Sequence, residues 1–106
     1  MTVREMADRL GLRVLHQEDD RNIDGVYCCD LLSVAMARAK TDSAWITVIG
    51  NANAVAVASL TDVACIVLAE GFSFDQAAVT AAKGKVSLLL SENPVYETAV
   101  AIGQAL

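Results

Sequence analysis

The sequence predicts an α/β domain, a three-layer α/β/α sandwich built on a mostly parallel sheet of about five strands, with residues 1–106 forming one domain. Three observations carry this. The apolar runs Trp45–Ile49, Cys65–Ala69 (CIVLA) and Val86–Leu90 (VSLLL) are short and almost unbroken, the pattern of strands covered on both faces. Each is followed by turn residues and then by a helical segment, with connections too short for anything but adjacent packing; right-handed crossovers then give parallel pairing. A chain of 106 residues can bury a sizeable core without disulfides or metal, and it has no room for a second domain.

Taken in order, the elements begin with a capping box. Thr2 and Glu5 stand three apart, so each side chain can satisfy an orphan amide of the first turn. Val3, Met6, Ala7 and Leu10 recur at helical spacing, and Gly11 supplies a left-handed C-cap. The text TVREMADRLGL is also similar to the first helix of a helix-turn-helix. That motif needs a second helix after Gly11, whereas Leu12, Val14 and Leu15 read as a strand.

Gln17–Asn22 is a polar turn. Ile23–Cys29 reads as a second strand with a bend or bulge at Gly25. Asp30 is placed to cap a helix whose apolar positions are Leu31, Val34, Ala35, Met36 and Ala39, and Lys40–Ser43 closes it with a turn.

The centre of the chain is WITVIGNANAVAVASL, residues 45–60. A strand stops at Gly50, crosses Asn51, Ala52 and Asn53, and re-enters as a helix that is apolar on almost every side and ends near Thr61 and Asp62. After the next strand, Ser73 and Gln76 suggest a second capping box before a helix Phe74–Ala82, which Gly84 stops. Asn93 and Pro94 form an N-cap and N1 pair for a last helix from Val95 toward Leu106.

Composition narrows the function. A net charge of −5 and a pI near 4.6 oppose nucleic-acid binding, which needs a basic patch to release counterions. The N-terminus carries charges where a signal peptide needs an apolar core, and no apolar stretch reaches the roughly 20 residues of a membrane span. We therefore expect a cytoplasmic protein. The hydrophobic fraction of 55% and a mean hydropathy of +0.44 are high for a small monomer, so part of the apolar surface is expected in a subunit interface.

Reactive groups are few. Cys28, Cys29 and Cys65 read as reduced thiols; the adjacent pair points to opposite faces of a strand and cannot grip one ion as a CxxC pair does. His16 is the only histidine and precedes an acidic turn, where a solvated side chain is expected. No nucleophile stands beside a base in a recognisable context. Neither a metal, a cofactor nor a catalytic residue is expected, and the chain reads as a non-enzyme.

The best candidate site is the pair of loops after two adjacent strands, Gly50, Asn51, Ala52 and Asn53 with Glu70, Gly71 and Phe72. In open α/β sheets ligands favour the carboxyl edge, where helix N-termini present free amides. An anion or nucleotide phosphate is one reading of these loops. The other is that Gly50 permits a tight turn while Asn51 or Asn53 caps the helix. The lysine, hydroxyl and glycine spacing of a P-loop are absent, and Glu70 would repel an anion.

The segments DLLSVAMARAK, WITVIGNANAVAVASL, CIVLAEGFSFDQA and VSLLLSENPVYETA together resemble the small DRTGG-domain proteins over nearly the whole chain. The resemblance implies a fold similar to the N-terminal domain of HPr kinase/phosphorylase and a non-catalytic regulatory or dimerisation role. Free-standing members are associated with iron-only hydrogenase systems. The name-giving Gly-Asp-Arg reads here as Gly50, Asn51, Ala52, and the Thr-Gly-Gly as Ala69, Glu70, Gly71, so only the glycines are kept.

The resulting expectation is a regulatory interaction domain that forms a homodimer and either docks a partner protein, with a redox or hydrogenase system as the candidate, or senses a small ligand. The alternatives are a nucleotide or anion sensor using the two loops, and a small phosphoryl-transfer enzyme. The latter would need a Lys or Arg clamp near Gly50, and none is visible.

Overall fold

The computed structural model describes residues 1–106, in the order α1 (Val3–Leu10), β1 (Arg13–His16), β2 (Gly25–Cys28), α2 (Leu32–Arg38), β3 (Ser43–Thr47), α3 (Ala52–Thr61), β4 (Cys65–Leu68), α4 (Gln76–Ala82), β5 (Ser87–Leu90) and α5 (Val95–Ala105). One five-stranded sheet has the order β1-β5-β4-β3-β2. β2, β3, β4 and β5 run parallel, and β1 lies antiparallel to β5 with an irregular register between Val14 and His16. The expected fold class is the observed one.

The pleat explains why β3 and β4 are apolar at nearly every position. All five residues of β3 and all four of β4 are buried. Trp45, Ile66, Leu68 and Leu88 face one layer with Ala35 of α2, four residues of α3, and Ala78 and Ala82 of α4. Ala44, Ile46, Cys65, Val67 and Leu89 face the other, with Val3, Met6 and Ala7 of α1 and Ile102 of α5. Helices α2, α3 and α4 thus cover one face and α1 and α5 the other.

α1 starts and stops as its sequence dictates. Thr2 Oγ1 accepts from the Glu5 amide at 3.2 Å while Glu5 accepts from the Thr2 amide at 3.0 Å, and Gly11 closes the helix at φ 67°. The Thr2 amide, and then the Thr2 hydroxyl, hold the Glu5 carboxyl below its ordinary range.

Four local expectations are corrected. Asp30 does not cap α2, which starts after Leu31 without a side-chain cap; its Oδ1 instead accepts from Thr47 Oγ1 and the Val48 amide, at 2.8 and 2.9 Å. The Ser73–Gln76 box does not form: the chain stays extended through Phe74, which is buried in the core, and Asp75 caps α4 by accepting from Ala78 at 2.8 Å. Pro94, not Asn93, occupies the N-cap of α5. The central helix is not enclosed on every side, because Asn53, Ala56, Ser59 and Leu60 are exposed.

A polar staple holds the opposite end of the sheet. Asp42 and Asp62 both adopt left-handed backbone, φ 64° and 61°. Arg21 bonds both carboxylates and the carbonyls of Asp62 and Val63. Partial burial works against the Arg21 charge, but the two carboxylates outweigh it and raise its pKa. Across the sheet, Glu18 receives the Gly84 amide at 2.8 Å and pairs with His16, and both bonds lower the Glu18 pKa. His16, expected to be solvated, is half-buried and hydrogen-bonded to Glu18 instead.

Candidate functional site

The two loops singled out in the sequence do converge at the carboxyl edge. Gly50 is held tightly there: a Cβ at this position would lie 2.8 Å from the Ser73 carbonyl oxygen and 3.0 Å from Leu68 Cδ2. Its own carbonyl accepts from the Asp75 amide at 2.9 Å. Asn51 caps α3, its Oδ1 accepting from Ala54 at 3.0 Å. Ala52 opens α3, and Asn53 projects into solvent one residue further on.

The second loop is bound to the next one along the sheet. The Glu70 amide donates to the Asn93 carbonyl at 2.8 Å and the Gly71 amide to the Ser91 carbonyl at 3.1 Å. Glu70 sits at φ 65° and Gly71 at φ 72°. The Glu70 carboxylate receives the Val95 amide, at 2.8 Å, in the first turn of α5. That amide has no partner within the helix, so Glu70 acts as a cap supplied from 25 residues upstream. Phe72 is 55% exposed beside it.

The principal concavity lies elsewhere. A groove of about 470 Å³ runs along β2, the outer strand of the sheet, between Asp24–Tyr27 and the α2–β3 turn with Arg38, Lys40, Thr41 and Ser43. In a parallel ladder, alternate residues turn both backbone groups to the same neighbour. The Ser43 and Thr47 carbonyls bond the β4 side and the Ile46 carbonyl accepts from the Cys29 amide, so Ala44 and Ile46 face β2; Gly25 and Tyr27 are therefore bonded to β3, and Val26 and Cys28 present their N–H and C=O groups outward. Nothing lies within 4 Å of a Cβ built on Gly25. Arg38 and Lys40 take part in none of the chain's salt bridges.

Leu31 and Val34 share the flank of α2 that carries Arg38, by i, i+3 and i+7 spacing, and Leu31 is 59% exposed. This groove had no local signal in the sequence, because strand order decides which strand is outermost.

The thiols are dispersed in environment: Cys28 is exposed, Cys29 half-buried and Cys65 buried. Burial pushes the Cys65 thiol up to about 12. Burial, and then the nearby Asp30 charge, raises Cys28 as well. No group of three or more His, Cys, Asp or Glu side chains is placed to hold a metal ion, and no helix is long and apolar enough to cross a membrane. In comparisons with known proteins, no family model matches the chain and no curated protein is significantly similar to it.

Proposed function

We propose that this chain is a non-catalytic interaction domain that works as a homodimer and docks a partner protein. The observation that carries the reading is a contrast between two edges. At the carboxyl edge, Asp30, Asn51, Glu70 and Asp75 are each committed to an internal hydrogen bond. Along β2, by contrast, backbone donors and acceptors, two cations and an exposed leucine stand without partners in the chain. An unpaired strand edge is a template for pairing with another polypeptide.

The resemblance to DRTGG-domain proteins supports the same reading and adds a partner class, a redox system of the iron-only hydrogenase kind. The nucleotide-sensor alternative is disfavoured by Glu70, whose carboxylate would face the anion and is already bound to α5. The test is the mass in solution. Light scattering at micromolar concentration is expected to give twice 11.2 kDa, and the monomer mass alone refutes the proposal.

A further inference from the structure

We infer that β2 receives an extended segment of the partner protein as a sixth strand, and that the residue of that segment opposite Gly25 is an Asp or Glu held by Arg38 and Lys40. The inference rests on the partner-docking half of the reading above and names the chemistry of what docks.

The backbone is ready for a further strand. With Gly25 and Tyr27 bonded to β3, the N–H and C=O groups of Val26 and Cys28, two donors and two acceptors, point away from the sheet. No other backbone group of the chain bonds them. Open edges are commonly guarded by charge on the strand itself, by Pro or by a bulge. β2 reads Gly-Val-Tyr-Cys, with neither charge nor Pro, and its register with β3 is regular.

Strand geometry decides which side chain of the added strand enters the groove. Successive residues of a strand point to opposite faces, and residues opposite one another across a ladder share a face. Tyr27 packs in the layer of α2 and Val26 in the layer of α5. Gly25, two residues before Tyr27, therefore looks toward α2, and so does the residue that pairs with it, whether the added strand runs parallel or antiparallel to β2. Gly25 has no side chain and nothing lies within 4 Å of where its Cβ would be, so that space is open.

The charge of the groove selects the residue. Arg38, in the last turn of α2, and Lys40, in the turn after it, line the groove with Asp24 as the one carboxylate. Two cations against one anion give a positive balance in a chain whose net charge is −5, and neither cation has a salt-bridge partner of its own. Thr41 lines the same space and brings a hydroxyl that can donate to a carboxylate. A Lys or Arg opposite Gly25 would instead meet two like charges.

Two acetylated and amidated peptides test this on the full chain, Thr-Ser-Val-Glu-Val-Ser-Thr and its counterpart with Lys in place of Glu, with amide hydrogen exchange followed residue by residue by NMR. At saturation the glutamate peptide is expected to slow exchange at Val26 and Cys28 and to leave Gly25 and Tyr27 unchanged. The lysine peptide is expected to bind about tenfold more weakly, and Arg38→Ala combined with Lys40→Ala is expected to weaken the glutamate peptide by about the same factor. Gly25→Val puts a β-branched side chain, which suits a strand, where the carboxylate should sit. It is expected to keep the native circular dichroism and to lose the peptide.

Equal binding of the two peptides, or exchange slowed at Gly25 and Tyr27 in place of Val26 and Cys28, overturns the inference. So do Val26 and Cys28 amides already protected in the free protein, which would place a second copy on the edge, and glutarate binding as tightly as the glutamate peptide, which would make the groove a small-anion site. A dimer by light scattering that binds neither peptide removes the added strand and keeps the homodimer. A monomer that binds the glutamate peptide removes the homodimer and keeps the strand.

Discussion

Glu70 offers a direct test of whether the loop after β4 is built for architecture. Its carboxylate receives the Val95 amide at 2.8 Å, and its backbone is left-handed at φ 65°. Removing the side chain in Glu70→Ala forfeits an N-terminal cap, about 1 kcal/mol, and the attraction between a carboxylate and the start of an eleven-residue helix, about 0.5 kcal/mol. Alanine keeps the backbone strain, so the expected loss is about 1.5 kcal/mol. Glu70→Gly also forfeits the cap but relieves about 1–2 kcal/mol of left-handed strain, against about 0.5–1 kcal/mol for the greater freedom of glycine in the unfolded chain. Its net loss should be about 1 kcal/mol. Glu70→Gln keeps an acceptor and loses only the charge, about 0.5 kcal/mol. Urea unfolding followed by the fluorescence of Trp45, the only tryptophan, measures all three. The expected order of stability is wild type, Gln, Gly, Ala. An alanine variant as stable as the wild type refutes the capping role, and one more stable than the glycine variant refutes the left-handed strain at this position.

The remaining predictions use the same assay or simple chemistry. Arg21→Ala should cost about 2 kcal/mol in urea unfolding, since it leaves Asp42 and Asp62, both in left-handed backbone, without their shared cation. Gly50→Ala should cost at least about 2 kcal/mol because the added methyl meets a backbone oxygen at 2.8 Å that cannot move aside cheaply, and an unchanged midpoint would contradict the packing. Glu18 has a folded pKa below its unfolded value, so its contribution is complete above the ordinary carboxylate range and fades as pH falls through the folded pKa; Glu18→Gln should flatten the acid limb of the stability curve, measured from pH 6 down to about pH 3. Cys65 should resist a thiol reagent in the native protein and react only on unfolding, whereas Cys28 is accessible though slowed by its raised pKa.

How far the chain could be read in advance depended on how local each determinant is. The α1 capping box needs only Thr2 and Glu5, three residues apart, and it forms as read. β4 and β5 announce themselves because a strand covered on both faces must be apolar at every position, whichever neighbours cover it. The caps of α2, α4 and α5 were misplaced because tertiary bonds compete for the same groups. Thr47, 17 positions away, takes the carboxylate of Asp30, and the core needs Phe74, which delays α4 to Asp75. Arg21 with Asp42 and Asp62 spans 41 positions and has no sequence signature. Of the candidate site, the glycine turn and the Asn51 cap were legible; the attachment of Glu70 to α5 was not.

Strand order explains why the two edges differ. Crevices at the carboxyl edge of a parallel sheet open where successive crossovers diverge to opposite faces. Here β2, β3, β4 and β5 are neighbours in sequence order, and α2, α3 and α4 all lie on one face, so no crossovers diverge between them. The loop after each strand can therefore lean on the next, as Gly50 does on residues 73–75 and Glu70 on residues 93–95. The same one-way progression leaves β2 with a neighbour on only one side, because the chain enters the parallel array there and β1 is placed at the far end, against β5. A sheet wound in one direction thus closes the edge where ligands usually bind and exposes the strand where another polypeptide can join.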